Sequence, residues 1–264
     1  TSPFNANATN TGDGWFEIRG RLNVVRPNGA ENWQIYETQA INWTRQGNIT
    51  AVNIKYSYNN GTNWTTLATN ITASNLTWNW TIANTTVTSA QGVINISDYN
   101  NPNNVFDTSN ATFQVRGTVN VTQPTSPGII LTYDRGVSAY NITWDKAGTI
   151  ANVTISYATD AENFTNPIVS NLSATSSPYS WTVPNSIGTN LKVKVRDSDN
   201  AAVNDTSDNP FSIKGGMLVT RPNGGEDFLK GTTQSINWTP VGTYTGTNVN
   251  IYYSYNNGTN WTII

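Results

Sequence analysis

No cysteine and no histidine stand anywhere in the 264 residues, and charged residues make up only 11%. Without cysteine no disulfide staples the fold, so each unit must hold itself by burial, and cysteine reports nothing on redox compartment. Without either residue there is no thiolate nucleophile, no imidazole base and no soft-metal ligand set. The few charges nearly cancel, at a net −2, which gives no basis for nucleic acid or an acidic membrane as partner. No apolar run is long enough to span a membrane. No signal peptide stands at Thr1, which is uninformative in a chain that begins inside a module. No glycine-rich phosphate loop follows a strand, and the sparse carboxylates form no repeated pair on core strands. These absences argue against an enzyme and supply no cofactor site.

What the chain has is repetition. Val25-Arg26-Pro27-Asn28-Gly29 returns as Thr220-Arg221-Pro222-Asn223-Gly224, and Ile41-Asn42-Trp43-Thr44 returns as Ile236-Asn237-Trp238-Thr239. The ten residues from Tyr56 to Thr65 return from Tyr253 to Thr262, and a divergent copy between them carries Asn141-Ile142-Thr143-Trp144. Phe16, Phe113 and Phe211 mark copy ends, each followed by a basic residue and glycine: Arg19-Gly20, Arg116-Gly117 and Lys214-Gly215. The spacing divides the chain into 1–20, the last strand of a preceding or partner module; 21–117 and 118–215, two full repeats of about 98 residues; and 216–264, the front of a further repeat. Either this is a window on a longer array, or a subunit built with incomplete ends. In the second case residues 1–20 of one chain would complete 216–264 of the next, making head-to-tail filaments by strand addition.

The pattern within a module is β throughout. Polar and apolar residues alternate, and strands are expected near 22–26, 38–43, 52–58, 64–68, 77–82, 92–98 and 111–116. Asn59-Asn60-Gly61 predicts a tight hairpin. Seven short strands in this length predict an all-β fold of tandem antiparallel β-sandwich modules, immunoglobulin or fibronectin-III-like, joined end to end. Junctions with no flexible linker predict a stiff rod. Trp43, Trp144 and Trp238, Trp64, Phe164 and Trp261, and Trp80 and Trp181 are core candidates by their inward phase, with a sugar-binding platform as the other reading.

Twenty asparagines fit the N-glycosylation acceptor Asn-X-Ser/Thr, about twice what 40 Asn and 60 Ser plus Thr give by random placement. They are Asn7, Asn42, Asn48, Asn60, Asn63, Asn70, Asn75, Asn79, Asn84, Asn95, Asn110, Asn120, Asn141, Asn152, Asn163, Asn171, Asn204, Asn237, Asn257 and Asn260. In 14 the middle residue is large and apolar. On a strand that residue turns inward while Asn and Thr both face solvent. Asparagine is depleted from strands, so its repetition there needs a cause. Either N-linked glycans coat the outer faces, which places the chain outside the cell, or the surface is simply Asn/Thr-biased. Asp197, Asp199, Asp205 and Asp208 surround one loop. They are a Ca²⁺ candidate, weighed against ordinary turn chemistry in which Asp bonds its own backbone.

Pro222-Asn223-Gly224-Gly225-Glu226, then Ile236-Asn237-Trp238-Thr239, then Tyr253 to Trp261 resemble the Kre9/Knh1-like, Ser-Thr-rich β-sandwich domain of fungal cell-wall proteins and large secreted bacterial and archaeal proteins. The resemblance is clear at 21–82 and 216–264 and weaker at 118–215, where Gln123-Pro124-Thr125-Ser126-Pro127 replaces the Pro-Asn-Gly turn. It implies a sandwich fold and a surface or cell-wall role, and it carries no catalytic residues. The expectation is therefore a structural extracellular repeat protein, a glycosylated rod, filament or coat, whose partners are its own copies or neighbouring repeats and covalent N-glycans. The alternative is an adhesin or carbohydrate-binding array, for which Tyr36, Tyr99 and Tyr244 would be the exposed aromatics.

Overall fold

The computed structural model describes residues 17–244, 246 and 248–264. It falls into two compact units, Thr1–Gly117 and Thr118–Ile264. Among the described residues there is no α-helix, and no helix is long and apolar enough to cross a membrane.

The first unit contains β1 (Arg21–Arg26), β2 (Asn32–Gln34), β3 (Thr38–Gln46), β4 (Ala51–Ser57), β5 (Thr65–Thr72), β6 (Thr77–Thr81), β7 (Ser89–Asp98), β8 (Phe106–Thr108) and β9 (Phe113–Arg116), with one 3₁₀ turn at Ala73–Asn75. One sheet runs β1-β3-β6, and the other runs β2-β9-β7-β4-β5 with β8 added on β7. The seven expected strands are all present. The two extra ones, β2 and β8, have three residues each, too few for alternation to register. One feature departs from the antiparallel expectation: β2 runs parallel to β9. The chain leaves β1 of one sheet and enters the other within a few residues, so that β2 arrives alongside the final strand.

The inward faces meet in an apolar core that includes Val24, Ile41, Trp43, Ile54, Trp80, Ile94 and Phe113, all buried. Trp33 packs on Phe113 at 4.8 Å between ring centroids, and Tyr56 packs on Trp80 at 5.0 Å. Trp43 sits at 1% exposure, and its indole Nε1 donates to the carbonyl of Ala73 at 3.1 Å. That bond avoids the cost of about 1–3 kcal/mol of burying an indole N–H bare, a cost that Trp33 Nε1 in the same core does bear.

The second unit repeats the plan as β10 (Thr118–Gln123), β11 (Ile130–Thr132), β12 (Ala139–Ala147), β13 (Asn152–Ala158), β14 (Asn166–Ser173), β15 (Tyr179–Thr182), β16 (Gly188–Asp197), β17 (Asn204–Thr206) and β18 (Phe211–Lys214). Its sheets are β10-β12-β15 and β11-β18-β16-β13-β14 with β17 on β16, and β11 runs parallel to β18. Trp144 repeats the indole bond, to Ala174 at 3.1 Å. Leu131 stands where the first repeat has Trp33, opposite Ile213 as Trp33 is opposite Val115.

Four further strands belong to this unit: β19 (Gly216–Arg221), β20 (Asn237–Val241), β21 (Tyr252–Tyr253) and β22 (Thr262–Ile263). β19 and β20 reproduce the register of β1 and β3, including the irregularity before Arg221 that matches the one before Arg26. Only Gly215 separates β18 from β19. Unlike its counterparts Trp43 and Trp144, Trp238 is 39% exposed. Met217, Val219 and Phe228, which stand where Leu22, Val24 and Trp33 are buried, are exposed too. These four side chains of 216–264 are therefore exposed, whereas their equivalents in the first repeat are buried.

The expected tight hairpin is instead a seven-residue loop between β4 and β5. Asn60 and Gly61 do have positive φ, +50° and +88°. The loop is held by side chains: the Ser57 hydroxyl accepts the Gly61 N–H at 2.8 Å, and Asn59 Oδ1 accepts the Asn63 N–H at 2.8 Å. Ser254 and Asn256 make the same two bonds to Gly258 and Asn260. Of the segment 1–20, Glu17–Gly20 lie in no strand and Ile18 is 87% exposed. Trp15, Phe16 and the rest of that expected strand lie outside the described residues.

Candidate functional site

Asn7 lies outside the described residues. The other nineteen acceptor asparagines fall on the sheets' outer faces or on loops, and none is buried. Asn42, Asn79, Asn120, Asn141 and Asn237 sit on β3, β6, β10, β12 and β20 of the smaller sheets; Asn70, Asn95, Asn152, Asn171 and Asn204 sit on β5, β7, β13, β14 and β17. Asn48, Asn60, Asn63, Asn75, Asn84, Asn110, Asn163, Asn257 and Asn260 are in turns and loops. Only Asn42, Asn95 and Asn152 are half-buried rather than exposed. The cause is the strand phase: Trp43, Trp80, Ile96, Val121, Ile142 and Val153 point into the cores, so the asparagine before each points out.

Not every acceptor asparagine needs sugar to explain it. Asn60, Asn70, Asn171 and Asn257 have φ between +50° and +56°, a region that asparagine tolerates better than other side chains. The strand positions 42, 79, 95, 120, 141 and 152 have no such cause. Acceptor nitrogens that already donate hydrogen bonds include Asn95 Nδ2 to Thr108 Oγ1 at 3.1 Å, Asn204 Nδ2 to the Ala201 carbonyl at 2.9 Å, and Asn163 Nδ2 to the Asp160 carboxylate. Backbone N–H bonds from Asn163 and Glu162 and the Asn163 side chain hold the Asp160 carboxyl down to about 2.

Four of the expected core rings are not in the core: Trp238, as above, and Trp64, Phe164 and Trp261. Trp64 is 38% exposed and Phe164 is half-buried, because each precedes its strand in the loop and turns to the outer face of the larger sheet. There Trp64 lines a shallow groove of about 280 Å³ with Lys55, Asn95, Phe106 and Thr108. Phe164 lies under the ammonium of Lys194, 4.2 Å from the ring centroid, an attractive cation–π contact. Trp261, in the front repeat, is exposed. Tyr36, Tyr99 and Tyr244 are exposed as well, but they occupy different places, and the Tyr244 hydroxyl donates to the Gly216 carbonyl at 2.9 Å.

The acidic residues do not converge. Asp205 Oδ2 accepts the Val121 N–H at 2.7 Å. Asp208 Oδ2 accepts the Thr125 hydroxyl at 2.7 Å. Asp197 Oδ1 accepts the Asp199 N–H at 3.0 Å, the one local turn bond among them. Among the described residues no group of three or more carboxylates is placed to hold a metal. Asp107 in the first repeat accepts the Val24 N–H at 2.7 Å, as Asp205 does for Val121. These two are clamps between the added short strand and the first strand. Asp205 therefore bonds across strands rather than in the turn expected from its neighbours, because three-residue β17 carries no alternation to mark it as a strand.

No protein-family model matches the chain, and no curated protein does. Among solved structures it is similar to the fibronectin(III)-like modules of CbhA from Clostridium thermocellum, 16% identical over 79% of this chain and all of that one, with a TM-score of 0.24. It is similar to the N-terminal four Ig domains of Dscam1 isoform 7.44, 10% identical over 76% of this chain and 47% of that one, with a TM-score of 0.37. The titin segment A168169 is 10% identical over 71% of this chain and 94% of that one, with a TM-score of 0.31. Independently of these likenesses, the described residues are all-β and form two-sheet β-sandwich repeats.

Proposed function

We propose that this chain is part of an extracellular array of N-glycosylated sandwich modules that builds a rod, filament or cell-surface coat. The observation that carries the reading is the placement of asparagine at outward strand positions 42, 79, 95, 120, 141 and 152, where neither propensity nor backbone conformation asks for it. Glycans there would keep a surface with few charges soluble and would mask sheet edges that otherwise invite edge-to-edge pairing. The resemblance of 21–82 and 216–264 to Ser-Thr-rich cell-wall modules points the same way. The role is non-enzymatic.

For 216–264, where Trp238 and Phe228 are exposed, strands equivalent to β6, β7 and β9 would come from a following repeat or from a second copy. In the first repeat β9 (Phe113–Arg116) lies parallel to β2, with Val115 opposite Trp33. Residues 16–19 carry the same Phe-x-Ile/Val-Arg pattern, so a second copy could lay them beside Phe228. Head-to-tail assembly of this kind predicts concentration-dependent chains by light scattering, lost on deleting 1–20; a monomer at all concentrations would remove it.

The adhesin or carbohydrate-binding alternative needs one outward aromatic presented alike in each copy. Trp64 and Phe164 both lie outward, but Lys194 covers the second, so the copies do not present equal sites. The coat reading is tested by the intact mass of native protein before and after enzymatic release of N-glycans. A loss of many hexose units is expected, and an unchanged mass would refute it.

A further inference from the structure

The two full repeats differ at one place on the outer face of the larger sheet, and the difference is concerted. In the first repeat Asn95 lies opposite Lys55 and Thr108. In the second, the same register position, opposite Ser156 and Thr206, is Lys194. Two residues on, Ser97 of the first repeat is Arg196 in the second. The sequon Asn95-Ile96-Ser97 is thus replaced by Lys194-Val195-Arg196. The ring that lies beside this position changes its cover at the same time. Phe164 is capped by the Lys194 ammonium, whereas Trp64 stays 38% exposed in a groove walled by Asn95, with Phe106 at 54% exposure beside it.

Ser97 supplies a second, independent observation. It is 2% exposed, and its hydroxyl has no hydrogen-bond partner. A buried hydroxyl without a partner is costly, and alanine would fit the same space without the penalty. The folded sandwich gives no use for this oxygen, but a glycosyl acceptor at Asn95 requires it.

We infer that the sugar carried by Asn95 folds back over the groove and stacks on Trp64 and Phe106. The occupant is the first pyranose of that N-linked glycan. Its C–H face is apolar and suits an indole and a phenyl ring, while its hydroxyls meet Lys55 and Thr108 at the rim. The amide keeps one N–H after glycosylation, enough to retain the bond to Thr108 Oγ1. In the second repeat the lysine side chain does the same covering without sugar. The inference rests on the reading that Asn95 is glycosylated.

The test uses native or glycosylating-host protein and the Ser97→Ala variant, which removes the acceptor and breaks no hydrogen bond. Glycopeptide mass spectrometry reports sugar at Asn95, and hydroxyl-radical footprinting reports oxidation of Trp64, with exposed Trp261 as internal reference. A several-fold slower oxidation of Trp64 in the glycosylated protein than in Ser97→Ala is expected, with Trp261 unchanged. Sugar present at Asn95 with equal Trp64 oxidation in both proteins would overturn the inference and leave the coat reading standing. Bare Asn95 in native protein would overturn both at this position. Protection that persists in Ser97→Ala would assign the cover to something else and overturn the inference.

Discussion

Single side chains decide where this sandwich is strong. Trp43 is enclosed and bonded to Ala73, whereas Trp64 follows the hairpin loop and faces outward. Trp43→Ala should therefore cost about 3–5 kcal/mol in chemical unfolding, and Trp64→Ala about 1 kcal/mol or less. Equal costs would contradict this placement. Asp107 satisfies the Val24 amide in an edge strand of the smaller sheet. Asp107→Ala should lose about 1–3 kcal/mol, measured by the same unfolding curves. The acidic residues around 197–208 are engaged separately, so adding Ca²⁺ or a chelator should leave the melting temperature unchanged. A Ca²⁺-dependent rise of several degrees would show that these carboxylates gather on the ion. Asp160 gives a pH signature. Hydrogen bonds from Asn163 and Glu162 hold its carboxyl down to about 2, so its contribution to the loop is complete above the ordinary carboxylate range and is lost as pH falls through about 2. The Asn163 amide resonance should titrate near that pH, and a midpoint near 4 would contradict the bonding.

At the level of elements, alternation made most strands readable. The phase of Ile41-Asn42-Trp43 alone puts Trp43 in the core and Asn42 outside, and the structure agrees. β2 and β8 were illegible because three residues carry no period, and with them went Trp33, the ring that bridges Phe113 and Trp80. The parallel pairing of β2 with β9 was equally invisible, since pairing partners 82 residues apart leave no local trace. Phase misled at Trp64, where the residue before a strand belongs to a loop whose course is set by Ser57 and Asn59. The same blind spot hid the Asp107 and Asp205 clamps, because a bond to an amide more than 80 residues away looks like a turn residue when only neighbours are read.

For the whole molecule, the account is that repeats with separate cores expose asparagine-rich faces for sugar, and that the second unit joins its full repeat closely to 216–264. The second unit contains one such joint. A Cβ on Gly215 would run into the Val241 carbonyl and stand 2.8 Å from Ile187 Cδ1, and Asn185 exchanges two hydrogen bonds with Thr243 at 2.8 Å each. Gly215→Ala should loosen residues 216–264 from the second repeat, seen as faster proteolysis after Lys230 with the melting of 118–215 preserved. Unchanged cleavage would mean the joint is not tight. The claim that organises everything else is the sugar. Its most direct test is site-by-site glycopeptide mass spectrometry of native protein at the strand acceptors Asn42, Asn79, Asn120 and Asn141. The account predicts glycan on most of them, and bare asparagine at all four would contradict it.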